Sequence, residues 1–178
     1  MPDKKKILAI SGSTREKSSN SNLIQWIINT YSQLDFTIYK DLANLPHFNV
    51  DLDIAQAPAA VVELRKALAE ADGVLICTPE YAMGVPGSLK NLLDWTVSTG
   101  DFSHRPTVVI TASTSGEKAH ESLLGTLRVI EAKIEDTATL LISHIKAKVN
   151  ANPEITDEHT KEAIKKVMET CIRMLNEA

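Results

Sequence analysis

Apolar positions along the chain follow two alternating rhythms. Short unbroken runs at Lys6–Ile10, Phe36–Tyr39, Gly73–Cys77, Thr107–Thr111 and Thr139–Ile142 read as strands. Between them, apolar residues recur three and four positions apart, which is the spacing of a helix packed on one face. Leu23, Trp26 and Ile27 predict a helix continuing to about Leu34, and Val61, Leu64 and Leu68 predict a second. Leu89, Leu92 and Leu93 predict a third from Pro86 to about Val97, and a fourth spans about Lys118 to Lys133. Ile164, Val167, Met168, Cys171, Ile172 and Leu175 stripe the last, with an acidic start at Thr156–Glu158. Residues 41–58, with Pro46 and several Asn and Asp, read as loop.

Strict alternation of strand and helix implies a parallel sheet covered on both faces, and the near-continuous apolar strands agree. Right-handed crossovers and five strands fit the α/β three-layer sandwich of flavodoxin-like type, strand order 2-1-3-4-5, as a single domain over residues 1–178. A chain of 178 residues buries roughly 70% of its unfolded surface and needs no disulfide or metal staple. In such a sheet, ligands sit outside the carboxyl ends of the strands where the order reverses, here between the first and third strands. The loops after Ile10 and after Cys77 therefore carry the chemistry.

The first of these reads Ser11-Gly12-Ser13-Thr14-Arg15-Glu16-Lys17-Ser18-Ser19-Asn20 and opens a helix. Free backbone N–H groups and the positive helix end favour an anion there. Arg15 adds a two-pronged contact to phosphate oxygens, and Ser13, Ser18 and Asn20 add neutral donors. One of Ser18, Ser19 and Asn20 is also expected to cap the helix. A nucleotide P-loop is excluded, because Lys17-Ser18 lacks the second glycine and is one residue short. A dinucleotide fingerprint is excluded too, since Thr14 stands where its second glycine belongs.

The second loop, Thr78-Pro79-Glu80-Tyr81-Ala82-Met83-Gly84-Val85-Pro86-Gly87, is stiffened by its prolines. Tyr81 and Met83 offer apolar contact to a flat ring. Thr78-Pro-Glu-Tyr81 followed by Pro86-Gly-Ser-Leu-Lys-Asn-Leu-Leu-Asp-Trp95, together with Gly12-Ser-x-Arg-x-x-Ser-x-Asn20, resembles the signature of NAD(P)H-dependent FMN reductases. The resemblance covers most of the chain. It implies that Ser13, Arg15, Ser18 and Asn20 hold the FMN phosphate. It implies that Pro79, Glu80, Tyr81, Ala82 and Met83 border the isoalloxazine, with Ser113 to Gly116 closing over its edge. Two positions depart from the family pattern. Ala82 stands where asparagine is common, and the loop Ser113-Thr-Ser-Gly116-Glu-Lys118 is poorer in glycine than in many relatives.

The implied activity is an FMN-dependent oxidoreductase. NADPH or NADH reduces the flavin, and a small acceptor such as a free flavin, quinone, azo dye or metal oxyanion then takes the electrons in a ping-pong cycle. The hydride chemistry belongs to the flavin, so no catalytic side chain is expected. Two other readings stay open from sequence: an FMN-binding electron carrier without NAD(P)H activity, and a flavin-free binding protein of the same fold. A homodimer or homotetramer is implied by the family, with the Pro86–Val97 helix in its interface. Lys90 and Asp94 are expected to pair across that interface or within the helix.

Charge narrows the partners. Nineteen Lys+Arg against 23 Asp+Glu give −4, which argues against a broad nucleic-acid surface. No apolar run approaches the length of a membrane span, and Ile7–Ile10 is too short for a signal segment. Cys77 and Cys171, each inside an apolar run, read as two buried thiols and suit a reducing cytoplasm. His47, His104, His120, His144 and His159 show no metal-ligand spacing, so no metal is expected. Glu80 reads as a structural member of its loop rather than a general base. Trp26 and Trp95 read as packing residues.

Overall fold

A computed structural model describes residues 4–15, 17–150 and 152–177. Its sheet has five parallel strands: β1 (Lys6–Ser11), β2 (Asp35–Tyr39), β3 (Gly73–Thr78), β4 (Thr107–Ala112) and β5 (Thr139–Ile142). Their order is β2-β1-β3-β4-β5, the flavodoxin-like arrangement. Six helices surround it: α1 (Ser19–Thr30), α2 (Val50–Ala55), α3 (Ala59–Ala69), α4 (Gly87–Trp95), α5 (Glu117–Val129) and α6 (Glu158–Asn176).

The sheet separates two cores. On one face Ile7, Ala9, Leu75, Val108 and Ile110 pack with Leu23 and Ile27 of α1 and Ile164, Met168 and Cys171 of α6. On the other, Leu8, Ile10, Ile76 and Val109 pack with Leu64 and Leu68 of α3, Leu89, Leu92 and Leu93 of α4, and Leu123 and Leu127 of α5. The central strands β3 and β4 are buried along their whole length, because both faces are covered. Cys77 and Cys171 are free and buried. Desolvation drives the Cys77 thiol far above its ordinary value and pushes Cys171 up to about 12, so neither is a thiolate near neutrality.

Three boundaries differ from the sequence reading. The first helix stops at Thr30, where Tyr31 leaves helical geometry, and Leu34 is buried in the turn that follows. The fourth long helix stops at Val129, because residues 130–133 turn back, with Glu131 at φ +60°, to meet β4. The stretch read as loop contains α2, whose N-terminus is capped by the Asn49 side chain accepting the Asp51 N–H at 2.9 Å. At six residues, α2 is too short for its periodicity to show.

The segment before α2 is tied down from α4. The Pro46 carbonyl accepts from Asn91 Nδ2 at 2.9 Å and from the indole Nε1 of Trp95 at 2.8 Å, and Asn91 Oδ1 accepts the Phe48 N–H at 2.7 Å. Phe48 then sets its ring edge-on to Trp95, with centroids 5.1 Å apart. Trp95 is thus a packing residue. No helix among the described residues is long and apolar enough to cross a membrane.

Candidate functional site

The strand order reverses between β1 and β3, and a cleft of about 310 Å³ opens there at the carboxyl ends. Gly12 makes the junction possible. Its N–H donates to the Cys77 carbonyl at 2.8 Å, continuing the ladder past β1. A β-carbon at this position would lie 2.2 Å from Thr78 Oγ1, so only glycine lets the two loops meet.

One wall is the loop leading into α1. Ser18 is the N-cap of that helix and accepts the Ser21 N–H at 3.0 Å. Ser13, Arg15, Ser18 and Asn20 all line the cleft. Ser13 Oγ accepts the Arg15 N–H at 3.3 Å and lies 3.3 Å from the Tyr81 hydroxyl, which joins the two loops across the mouth. Asn20 is only 3% exposed. Its Nδ2 donates to the Ala112 carbonyl at the end of β4, at 3.0 Å, and its Oδ1 has no hydrogen-bond partner among the described residues. A buried acceptor in that condition is matched by a ligand that brings a hydroxyl donor, as a polyol phosphate does.

The opposite wall is the loop after β3. Pro79, Glu80 and Tyr81 line the cleft. Tyr81 and Gly84 exchange both backbone hydrogen bonds at 3.0 Å, closing a two-residue turn. Ala82 and Met83 occupy it at φ +48° and +61°. Both backbone angles are left-handed, which explains why asparagine suits position 82: its short polar side chain tolerates that region better than alanine does. The turn lifts Ala82 and Met83 to the exposed rim rather than into the cleft.

Glu80 fixes this loop to α5. Its carboxylate accepts the Ala119 N–H at 2.9 Å and the Ser115 hydroxyl at 3.3 Å, while its own N–H donates to Ser113 Oγ at 3.2 Å. The hydrogen bond from Ala119, joined by those from Gly116, Ser115 and Lys118, holds this carboxyl below the ordinary glutamate value. Glu80 is therefore an acceptor for the first turn of α5 and stays ionised, the opposite of a general base poised near neutrality. Ser113 lines the cleft. Gly116 is buried at the head of α5, at φ +107°, where a side chain would be strained and its β-carbon would strike Leu141 at 2.8 Å.

Thr114 lines the cleft beside Ser113, and several further lining residues escaped the sequence reading: Lys17, Ser19, Ala112, Ile145 and Lys146. Lys146 arrives from the loop after β5. That loop is strapped to the one after β4 by Ile145 N–H to Ser113 carbonyl and His144 N–H to Thr114 carbonyl, both at 3.1 Å. The usable signal was positional, since every strand's carboxyl-end loop faces this side of the sheet. Arg15, Lys17 and Lys146 take part in no ion pair among the described residues. The cleft is thus cationic on a chain whose net charge is −4. The Arg15 guanidinium, hydroxyl donors and a helix N-terminus on one wall, facing Tyr81 and Pro79 on the other, fit FMN. When bound, that group supplies hydride acceptance and delivery.

Lys90 and Asp94 pair within α4 at 2.5 Å. His120, on α5, has its Nδ1 2.9 Å from Thr111 Oγ1, and burial lowers its pKa, so it serves as a packed hydrogen-bonding residue.

The sequence profile of the NADPH-dependent FMN reductase family matches residues 5–147. A 2-hydroxy-1,4-benzoquinone reductase of a Burkholderia species is 28% identical, with 92% of each chain covered. An NAD(P)H-dependent FMN reductase of Pseudomonas aeruginosa is 29% identical over 95% of this chain and 94% of its own. Among solved structures, FerB, a flavoenzyme NAD(P)H:(acceptor) oxidoreductase from Paracoccus denitrificans, superposes with a TM-score of 0.77 at 24% identity. That alignment covers 97% of this chain and 98% of FerB, and it shows the shared fold. With its two signature loops forming the walls of one cationic cleft, the chain belongs to the NADPH-dependent FMN reductase family and is an oxidoreductase that works with FMN and a nicotinamide nucleotide.

Proposed function

We propose that the protein takes electrons from NADPH or NADH and passes them to a small acceptor, a free flavin or a quinone, by a ping-pong cycle at one shared face of FMN. The observation that carries this reading is the asymmetry of the cleft. One wall, with Ser13, Arg15, Ser18 and Asn20, offers donors and a cation, whereas the facing wall carries Tyr81, 48% exposed, and runs out to the raised turn carrying Met83, 72% exposed. A ring anchored there keeps one face accessible to a planar molecule, and the two partners must use it in turn.

This chain's own residues bind and orient. The α1 N-terminus and Arg15 oppose the phosphate charge. Pro79 and the Glu80 carboxylate fix the loop under the ring's polar edge through the ties to Ser115 and Ala119. No side chain needs to move a proton for this work. Names of relatives support the substrate class, since they include quinone reductases from Escherichia coli and an NADH-dependent flavin reductase subunit from Lactobacillus johnsonii.

The same reading includes a second copy of the chain. Exposed Val97 and Val129 border a groove of about 550 Å³ between α4 and α5, and the family resemblance puts α4 in the interface. The reading also includes a reducing cytoplasm, which the two free buried thiols support.

The test is a visible spectrum of the protein after FMN loading and removal of excess, followed by anaerobic NADPH. Retained flavin that bleaches, with parallel double-reciprocal lines when both substrates are varied, is the expected result. Flavin that stays oxidised with both nucleotides identifies a carrier instead. A protein that retains none overturns tight FMN binding.

A further inference from the structure

We propose that the cleft continues past the phosphate loop into a second anion subsite, built by Lys17 and Lys146, that takes the outer phosphate and the nucleoside half of a flavin dinucleotide. The inference rests on the reading of the first cleft as a flavin site.

A second cavity of about 620 Å³ adjoins the first, and Lys17, Ser18, Ser19 and Lys146 line both. The shared wall lies at the phosphate end, because Pro79, Glu80 and Tyr81 border only the first cavity. A ligand leaving the first cavity by that wall meets Lys17 and Lys146. Arg15 lines the first cavity alone and the two lysines line both, so the cationic lining continues from one cavity into the next. Two phosphates joined by a bridging oxygen place one charge at Arg15 and α1 and the next at the lysines. Neither lysine is ion-paired among the described residues, so both are free to meet it.

The far compartment has a defined wall. Asn22 of α1 donates from Nδ2 to the Asn150 carbonyl at 2.9 Å. That strap holds a hairpin in which Val149 bridges Ile155 and the Thr156 N–H donates to the Lys148 carbonyl at 2.8 Å. Val149, the Asn152 amide and Asn22 line this compartment with Asn150, whose Nδ2 donates to Glu154 Oε2 at 3.0 Å, and together give the mixture of apolar and hydrogen-bonding surface that a nucleoside requires. FMN fills the first cavity only. A dinucleotide flavin reaches the second.

Fluorescence titration of the full chain with riboflavin, FMN and FAD tests the assignment. FAD is expected to bind within about tenfold of FMN, and the double variant Lys17→Met/Lys146→Met to weaken FAD by roughly tenfold or more, FMN by less than about threefold and riboflavin not at all. FMN binding with FAD rejected overturns the subsite while leaving the first cleft intact. Equal losses of FMN and FAD, or no loss of FAD, overturn it as well, since the lysines then serve one phosphate or none. Failure of all three flavins to bind overturns the flavin reading and the subsite together.

Discussion

The Glu80 carboxylate, on the loop after β3, accepts the backbone N–H of Ala119 in the first turn of α5 at 2.9 Å. One side chain thus fastens the loop that walls the cleft to the helix that follows the loop after β4. It opposes the positive end of α5 as a capping anion does.

Glu80→Gln therefore lowers the midpoint of thermal unfolding at pH 7, and Glu80→Ala lowers it further. The carboxyl sits below its ordinary value in the fold, so its contribution is fully present above the unfolded glutamate value near 4.5 and fades as pH falls through the folded value. Melting curves of wild type and Glu80→Gln should converge in that acid window. A gap that stays constant down to pH 3 contradicts the capping role.

Ala82 sits at φ +48° in a two-residue turn that favours asparagine or glycine. Relieving a left-handed alanine is worth about 1 kcal/mol, so Ala82→Asn should raise the melting midpoint by roughly 2–4 °C. Ala82→Val should lower it. Differential scanning calorimetry distinguishes the two signs.

Arg15 lines the cleft without an ionic partner of its own among the described residues, and the proposed function gives it the phosphate. A charge-assisted contact is worth about 1.5–3 kcal/mol, so Arg15→Ala should weaken FMN roughly ten- to a hundredfold. Riboflavin, which has no phosphate, should lose little. Equal losses in a fluorescence titration would sink the phosphate assignment.

Both cysteines are buried and held in the thiol form. Alkylation at pH 8 should modify neither in the folded protein and both in denaturant. Labelling of native Cys77 would disprove the closed core at the end of β3.

Most of the scaffold was legible because its signals are local. Five apolar runs and the intervening helical spacings sufficed for the strand order, and the strand order named the two loops. Glu80's structural role and the packing role of Trp95 also followed from context. What escaped depends on tertiary contact. α2 is too short to carry a period. Lys146 belongs to no motif and reaches the cleft only because the β5 loop is strapped to Ser113 and Thr114. Ala82 stood out only as a departure from the family pattern, whereas the structure assigns the position a backbone demand that no run of residues announces. Asn20 was expected to donate to phosphate. Its donor is engaged by Ala112 across 92 residues, a partner visible only once β4 lies beside α1.

Gly12→Ala brings a β-carbon to 2.2 Å from Thr78 Oγ1 and 2.7 Å from Thr78 Cβ. Overpacking of this kind costs about 1–3 kcal/mol, and Thr78→Ala should restore only part of it because the Thr78 β-carbon remains. Urea unfolding of the single and double variants reads the difference.

That close approach at Gly12 also sets where the protein can be varied. Gly12, where the loops after β1 and β3 meet, and Gly116, at the head of α5, have no room for a single added methyl group without displacing a neighbour. The rim at Ala82, Met83, Thr114, Ser115 and Lys146 is exposed. A saturation library selected for new electron acceptors would therefore fill at the rim and stay blank at the two glycines.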